Sequence, residues 1–228
     1  MHFPRGFDPS SSVLFLGAGF SRSAKSVIGK APPLGRELEI EIKKACDIPE
    51  DDVSSLQDIS KYAFDQGVDL HGILSNLYTI KSLEKNQSQI LSMPWLRVYT
   101  TNYDDIVELF WREKGGKGTG NSYNIGDSVP TQLRPGSVIH LHGYIHKCTK
   151  ENVLSQLVLS HHSYAQQRAI SSPWWEIFER DIRVAQNVFF LGYELNDFEP
   201  AAYLTKNPSV AGKTHFILRV RLESQGWA

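Results

Sequence analysis

Ser12-Val-Leu-Phe-Leu-Gly-Ala-Gly-Phe-Ser-Arg-Ser23 decides how the chain is read. Val13 to Leu16 is an apolar run too short for a buried helix and right for a strand covered on both faces. Gly17 and Gly19 follow, and without a Cβ they let the backbone turn sharply and approach another group closely. Ser21 or Ser23 is placed to cap a following helix, whose free N–H groups and positive dipole end favour an anion. A strand running through glycines into a helix start is how α/β folds hold a pyrophosphate. The full dinucleotide fingerprint asks for a third Gly or Ala where Arg22 stands, and its acid falls about 20 residues on, at Glu37 or Glu39 within a helical pattern.

Working outward, Val27 to Pro33 reads as a loop. Leu34, Leu38, Ile42 and Ala45 or Cys46 recur at helical spacing, and further helices are expected around Leu56–Ala63 and Leu70–Leu77. Residues 34–93 are too long for one crossover helix and read as a helical insertion or cap. Further strands are expected at Leu96–Thr101, Ser137–Leu141, Leu157–Ser160, Asn187–Leu191 and His215–Val220. Asp104 and Asp105 open a helix, and Ser172-Pro173 opens another carrying Trp174, Ile177, Phe178, Ile182 and Ala185. The stretch from Gly115 to Gly136, rich in Gly, Ser and Asn, reads as a disordered surface loop or a lid. Alternating strands and helices give an α/β fold, a Rossmann-like, mostly parallel sheet with a helical insertion after the first strand. The expected division is a Rossmann-like domain from 1–33 and 94–220, the insertion at 34–93, and 221–228 as a tail or the start of a further segment.

Lys and Arg number 24 against 25 Asp and Glu, a net charge of −1 that gives no pull toward nucleic acid or an anionic membrane. No run approaches the about 18 apolar residues of a membrane span, and the N-terminus lacks the apolar core of a secretory signal. Cys46 and Cys148 are too few for a disulfide framework or a paired-cysteine zinc site, so a reducing cytoplasm is expected. His140, His142, His146, His161 and His162 lack a carboxylate at ligand spacing, and no metal is expected.

In a parallel sheet, ligands bind beyond the carboxyl ends of the strands. Those ends carry Gly17-Ala-Gly-Phe-Ser21, Thr100-Thr-Asn-Tyr-Asp104, His140-Leu-His-Gly143 and Gly192-Tyr-Glu-Leu-Asn-Asp197. Four polar loops converging on one rim make a nucleotide site. Tyr164 and the Trp174-Trp175 pair read as core.

Together the four loops resemble the sirtuin family, in particular the zinc-less sirtuin-like domains of bacterial anti-phage systems. Gly17-Ala-Gly-Phe-Ser21 is similar to the family's Gly-Ala-Gly-x-Ser loop, Thr100-Thr-Asn-Tyr-Asp104 to its Thr-x-Asn-x-Asp segment, and His142-Gly143 to its catalytic His-Gly. The resemblance spans about residues 12–220 and departs in two respects: there is no four-cysteine zinc ribbon, and Glu194 stands where a small hydroxyl residue is usual near the adenosine ribose.

The resemblance implies NAD as substrate, with His142 as general base and Asn102 fixing ribose hydroxyls or aiming a water. It places Gly17, Ala18, Gly19, Phe20, Ser21, Thr101, Asp104, Gly192 and Glu194 against the dinucleotide, with Gly17, Gly19 and Ser21 on its phosphates and Asp104 on the carboxamide. The implied function is an NAD glycohydrolase that depletes NAD in defence, working as a homo-oligomer or with an activating partner. The competing expectations are an NAD-dependent deacylase or ADP-ribosyltransferase, and a non-catalytic module that senses NAD or ADP-ribose.

Overall fold

Five consecutive buried residues in β1 (Ser12–Leu16) set the architecture. The computed structural model describes residues 4–115, 120–159, 172–193 and 208–217. Val13 and Phe15 face one side of the sheet and pack on Trp174, Phe178 and Ile182 of the Pro173–Val184 helix. Leu14 and Leu16 face the other and meet Leu91, Ile106 and Phe110. That alternation follows from side chains pointing to opposite faces of a strand, and it makes β1 apolar throughout because both faces are covered.

After β1 the chain makes a short helix, α1 (Ala18–Ser21), and then the two-residue β2 (Lys25–Ser26). The helices α2 (Gly35–Ala45), α3 (Leu56–Asp65) and α4 (Leu70–Tyr78) come next. They are followed by β3 (Ile80–Ser82), α5 (Lys85–Leu91), β4 (Arg97–Thr100), α6 (Ile106–Glu113), β5 (Ser122–Asn124) and β6 (Ser137–His140). Last come the Pro173–Val184 helix, β7 (Asn187–Leu191), the Pro208–Ala211 helix and β8 (Thr214–Ile217). The main sheet has the order β5-β6-β4-β1-β7-β8, and every pairing in it is parallel. From β1 the chain runs to β4, then to the edge strand β5 and back to β6 between those two, before crossing to β7 on the opposite side. The topological switch point therefore lies between β1 and β7, where such sheets bind ligands.

The expected α/β parallel sheet with a helical insertion is the architecture found. Three local expectations are corrected. Leu157–Leu159 is not a strand: Val158 makes one main-chain bond to His142 O and gives its own carbonyl to the Tyr103 hydroxyl, so no ladder forms. Ser160 lies outside the described residues, as do His161, His162, Tyr164, Glu194, Asn196, Asp197 and the 218–220 end of the last expected strand. Within the Gly115–Gly136 stretch, Ser122–Asn124 is the edge strand β5, held by pairing with β6 and by Tyr123 against the Trp174 ring. Ser21 and Ser23 cap no helix, since the N-cap of α1 is Gly17 and the helix ends at Ser21. Trp174 and Trp175 are core, as their apolar spacing implies.

The insertion builds its own core from Leu38, Ile42, Ile59, Leu70 and Leu74, and this core continues into Ile145, Val153 and Leu157 beyond β6. β2 and β3 pair antiparallel at its base. The insertion thus packs over the carboxyl rim of the sheet, where the polar loops lie.

Candidate functional site

The glycine turn after β1 and the loop after β7 clasp each other through main-chain atoms. Gly17 N–H donates to Leu191 O at 2.8 Å and Gly19 N–H to Gly192 O at 2.9 Å. A Cβ on Gly17 would lie 2.7 Å from Gly192 O, and one on Gly19 would lie 2.8 Å from it. Gly192 has φ +74°, and its Cβ would fall 2.0 Å from Phe20 N. The glycines are therefore required by loop-on-loop packing, and their N–H groups, expected to face phosphates, are committed inside the protein. Ala18 is the exposed residue of the turn. Phe20 is buried in the core, with its carbonyl accepting from Gln87 Nε2.

Ser21, only 1% exposed, sits beneath this turn and links two residues of the next loop. Asn102 Nδ2 donates to Ser21 Oγ at 3.1 Å and to Gly17 O at 3.0 Å. The Ser21 hydroxyl in turn donates to the Asp104 carboxylate. Both amide hydrogens of Asn102 are used, so its side chain can offer a ligand only the acceptor Oδ1. Burial pushes the Asp104 carboxyl up to about 6, although Ser21 and the Ile106 N–H both favour its charged form. The expected helix-opening role of Asp104 is realised through that Ile106 bond at 3.2 Å. Thr101 Oγ1 hydrogen-bonds the Tyr193 hydroxyl across the end of β1.

Asn102, Asp104, Thr101 and Ala18 help line a cavity of about 120 Å³. Its apolar wall belongs largely to the insertion: Pro33, Leu38, Leu56 and Tyr78. Arg22 fixes how that wall meets the turn. Its guanidinium grips both oxygens of Glu37 at 2.6 and 2.9 Å and donates to Pro32 O. Glu37, a candidate ribose acid from sequence spacing, is thus occupied by Arg22 and by the Leu34 N–H.

His142 stands two residues past the end of β6, beside the Asn102 loop, because Leu141 N–H donates to Thr100 O. It is half-buried and does not line the cavity. The structure therefore brings Ser21, Asn102, Asp104 and Gly17 into one bonded unit, with His142 on the neighbouring strand end. Glu194 is outside the described residues.

Beneath the loop is a buried pair the sequence reading missed. His140, fully buried, places Nε2 3.0 Å from Glu108 Oε1 and Nδ1 3.2 Å from Asn102 O. Ser122 donates to the same Glu108 oxygen. Asp105, also fully buried, accepts from the Ile80 N–H at 2.6 Å, Arg112 Nη2 at 2.7 Å and His146 Nε2 at 3.1 Å. The signal available was Glu108 lying four residues beyond Asp104 on the apolar face of α6.

Residues 96–221, more than half of the chain, match the family described as SIR2-like domain. The chain belongs to that family. SIR2-like domains use NAD, and membership suggests an NAD-related activity for this chain. The match covers three of the four loops quoted from sequence, and the Gly17–Ser21 loop that precedes it is bonded directly to two of them, at Asn102 and Gly192. No curated protein is a detectable relative of the chain. Among the described residues of this SIR2-like domain, no group of three His, Cys, Asp or Glu side chains could hold a metal ion, and no helix is long and apolar enough to cross a membrane.

Proposed function

We propose that this SIR2-like domain hydrolyses NAD at the nicotinamide–ribose bond, giving nicotinamide and ADP-ribose or its cyclic form. The observation that carries the reading is the cavity between the insertion and the loops after β1 and β4, lined by Asn102 and Asp104 together with apolar side chains. Its about 120 Å³ is of the order of the about 150 Å³ cavity that takes a benzene ring, which suits one flat six-membered ring bearing an amide. The Asp104 carboxylate accepts from the carboxamide N–H. Asn102 Oδ1, an acceptor, takes a hydrogen from a ribose hydroxyl or from the attacking water.

Cleavage breaks the bond between the ribose carbon and the ring nitrogen, and the electron pair leaves with neutral nicotinamide. The positive charge passes to an oxocarbenium-like ribose. Water adds to that carbon, and its proton passes to His142 as general base. When the ribose is instead attacked by another group of the same molecule, the product is cyclic. The lack of a four-cysteine zinc ribbon favours water over an acylated lysine as acceptor. By resemblance, the domain is an NAD-depleting effector of bacterial anti-phage defence, working with copies of itself or an activating partner.

The test is product analysis from NAD with the full chain. Nicotinamide release without added acyl-peptide or acceptor is expected, and its loss in Asn102→Ala and His142→Ala. Release that depends on an acyl-peptide or acceptor would favour deacylation or ADP-ribosyl transfer. Thermal stabilisation by NAD without turnover would favour a sensor. Full turnover in both variants would refute the assigned roles.

A further inference from the structure

Asn102 can orient a substrate atom only if its own main chain is fixed, and three of its bonds come from outside its loop. Two, from Nδ2 to Gly17 O and Ser21 Oγ, hold the side chain. The third holds the main-chain carbonyl, which faces His140 Nδ1. A carbonyl oxygen only accepts, so Nδ1 carries a hydrogen. The other ring nitrogen faces the Glu108 carboxylate, whose same oxygen also accepts from Ser122. A neutral ring with its hydrogen on Nδ1 would set a bare nitrogen against that oxygen, so the His140–Glu108 pair holds one further proton between them.

The surroundings favour that state. Burial alone would lower the His140 imidazole, but the charge and hydrogen bond of Glu108, then the Asn102 carbonyl and the charge of Asp104, leave it raised. The Tyr144 ring stacks on the imidazole with centroids 4.3 Å apart and planes at 25°, offering its π face to a cation. Neither His140 nor Glu108 lines the cavity, so the pair has no chemical part in the reaction proposed above.

We propose that His140, bridged to Glu108, is the positioning residue of this site: it pins the Asn102 carbonyl and so sets the direction from which Asn102 Oδ1 meets the substrate. The inference rests on the reading of Asn102 given above. A small misplacement of an orienting group costs rate more than binding, up to about 100-fold for a shift near 1 Å.

The test combines kinetics with nitrogen-15 NMR on the full chain. His140→Ala should lower kcat on NAD by about 10- to 100-fold with KM changed less than about threefold. His140→Lys, whose ammonium can donate to both Glu108 and the Asn102 carbonyl, should recover part of the loss. A purely structural role would lower the melting temperature and leave kcat of the folded fraction unchanged, which overturns the proposal. In the wild-type protein, Nδ1 of His140 should be protonated and hydrogen-bonded at a pH where a free imidazole is neutral. A bare Nδ1 overturns the proposal even where a variant fails to fold. A wild-type chain that releases no nicotinamide defeats the functional reading instead. The positional claim is then judged on Nδ1 and on the Asn102 side-chain amide signals, which must shift in His140→Ala.

Discussion

Gly19 and Gly192, in loops at the ends of two neighbouring strands, touch through main-chain atoms alone: the Gly19 N–H meets the Gly192 carbonyl at 2.9 Å. Neither position has room for a Cβ, and Gly192 also has φ +74°. Gly192→Ala should therefore destabilise by more than the about 1 kcal/mol of backbone strain alone, in the range of about 2–4 kcal/mol. Gly29→Ala is the control, with φ +77° but nothing within 4 Å of its Cβ, and should lose only about 1 kcal/mol. Urea denaturation of the two variants separates clash from strain. Equal losses would mean that the loops separate at little cost.

Asp104 should trade stability for activity. Its folded carboxyl is raised to about 6 from the ordinary 3.8, so the protein favours the protonated form. Its stabilising contribution is complete below the unfolded value and is lost as pH rises through about 6. Asp104→Asn removes the cost of a buried charge and should stabilise the protein at pH 8 by up to about 3 kcal/mol while reducing turnover of NAD. In the wild type, kcat/KM should rise with pH through an apparent value near 6, as the carboxylate that accepts from the carboxamide forms. A flat acid limb would remove Asp104 from the carboxamide contact.

Asp105 ties the insertion to the sheet rim and should respond to pH in the opposite sense. Burial would raise it, but the bonds from His146, Arg112 and the Ile80 N–H outweigh that and hold it below the usual carboxylate range. Its contribution is present above the unfolded carboxylate value of about 3.9 and is lost as pH falls through the lower folded value. Asp105→Ala leaves the Ile80 N–H without its acceptor and should cost about 2–4 kcal/mol. Arg112 and His146 are both well exposed and add little to that figure. Hydrogen exchange should quicken at Ile80–Ser82 and Lys25–Ser26 before it does in β1.

Arg22 should matter more to ligand than to fold. Its pair with Glu37 is partly exposed on both sides, so Arg22→Ala should cost no more than about 1 kcal/mol. The same change frees the chain around Pro32 and Pro33 from the turn, and KM for NAD should rise with little change in kcat. A large loss of melting temperature would show the pair to be structural first.

The central strands were legible because a strand buried on both faces is apolar at every position, as Val13–Leu16 and Val188–Leu191 are. β5 was not, since Ser122-Tyr-Asn124 has three residues of middling hydropathy and owes its conformation to β6 and to the Trp174 ring. The polar rim was legible from Asn102 and Asp104, whose types matched their places at a strand end. Which atoms of the glycine turn remain open to a ligand was not, because that depends on where the loop after β7 lies in space. The pairing of Glu108 with His140 was passed over for a related reason. A carboxylate on an apolar helix face and a histidine inside a strand gain a meaning only once the two elements are packed together.

The bonds that close the turn over β1, from Gly17 to Leu191 and from Gly19 to Gly192, contain no ionisable atom. Acid and alkali leave such a hinge pin uncharged, so the frame keeps one shape while the carboxyl and imidazole groups beside it change state. A titration curve recorded on this protein's ligand would then read the chemistry of Asp104 and its neighbours, with the backbone bend serving as a fixed zero.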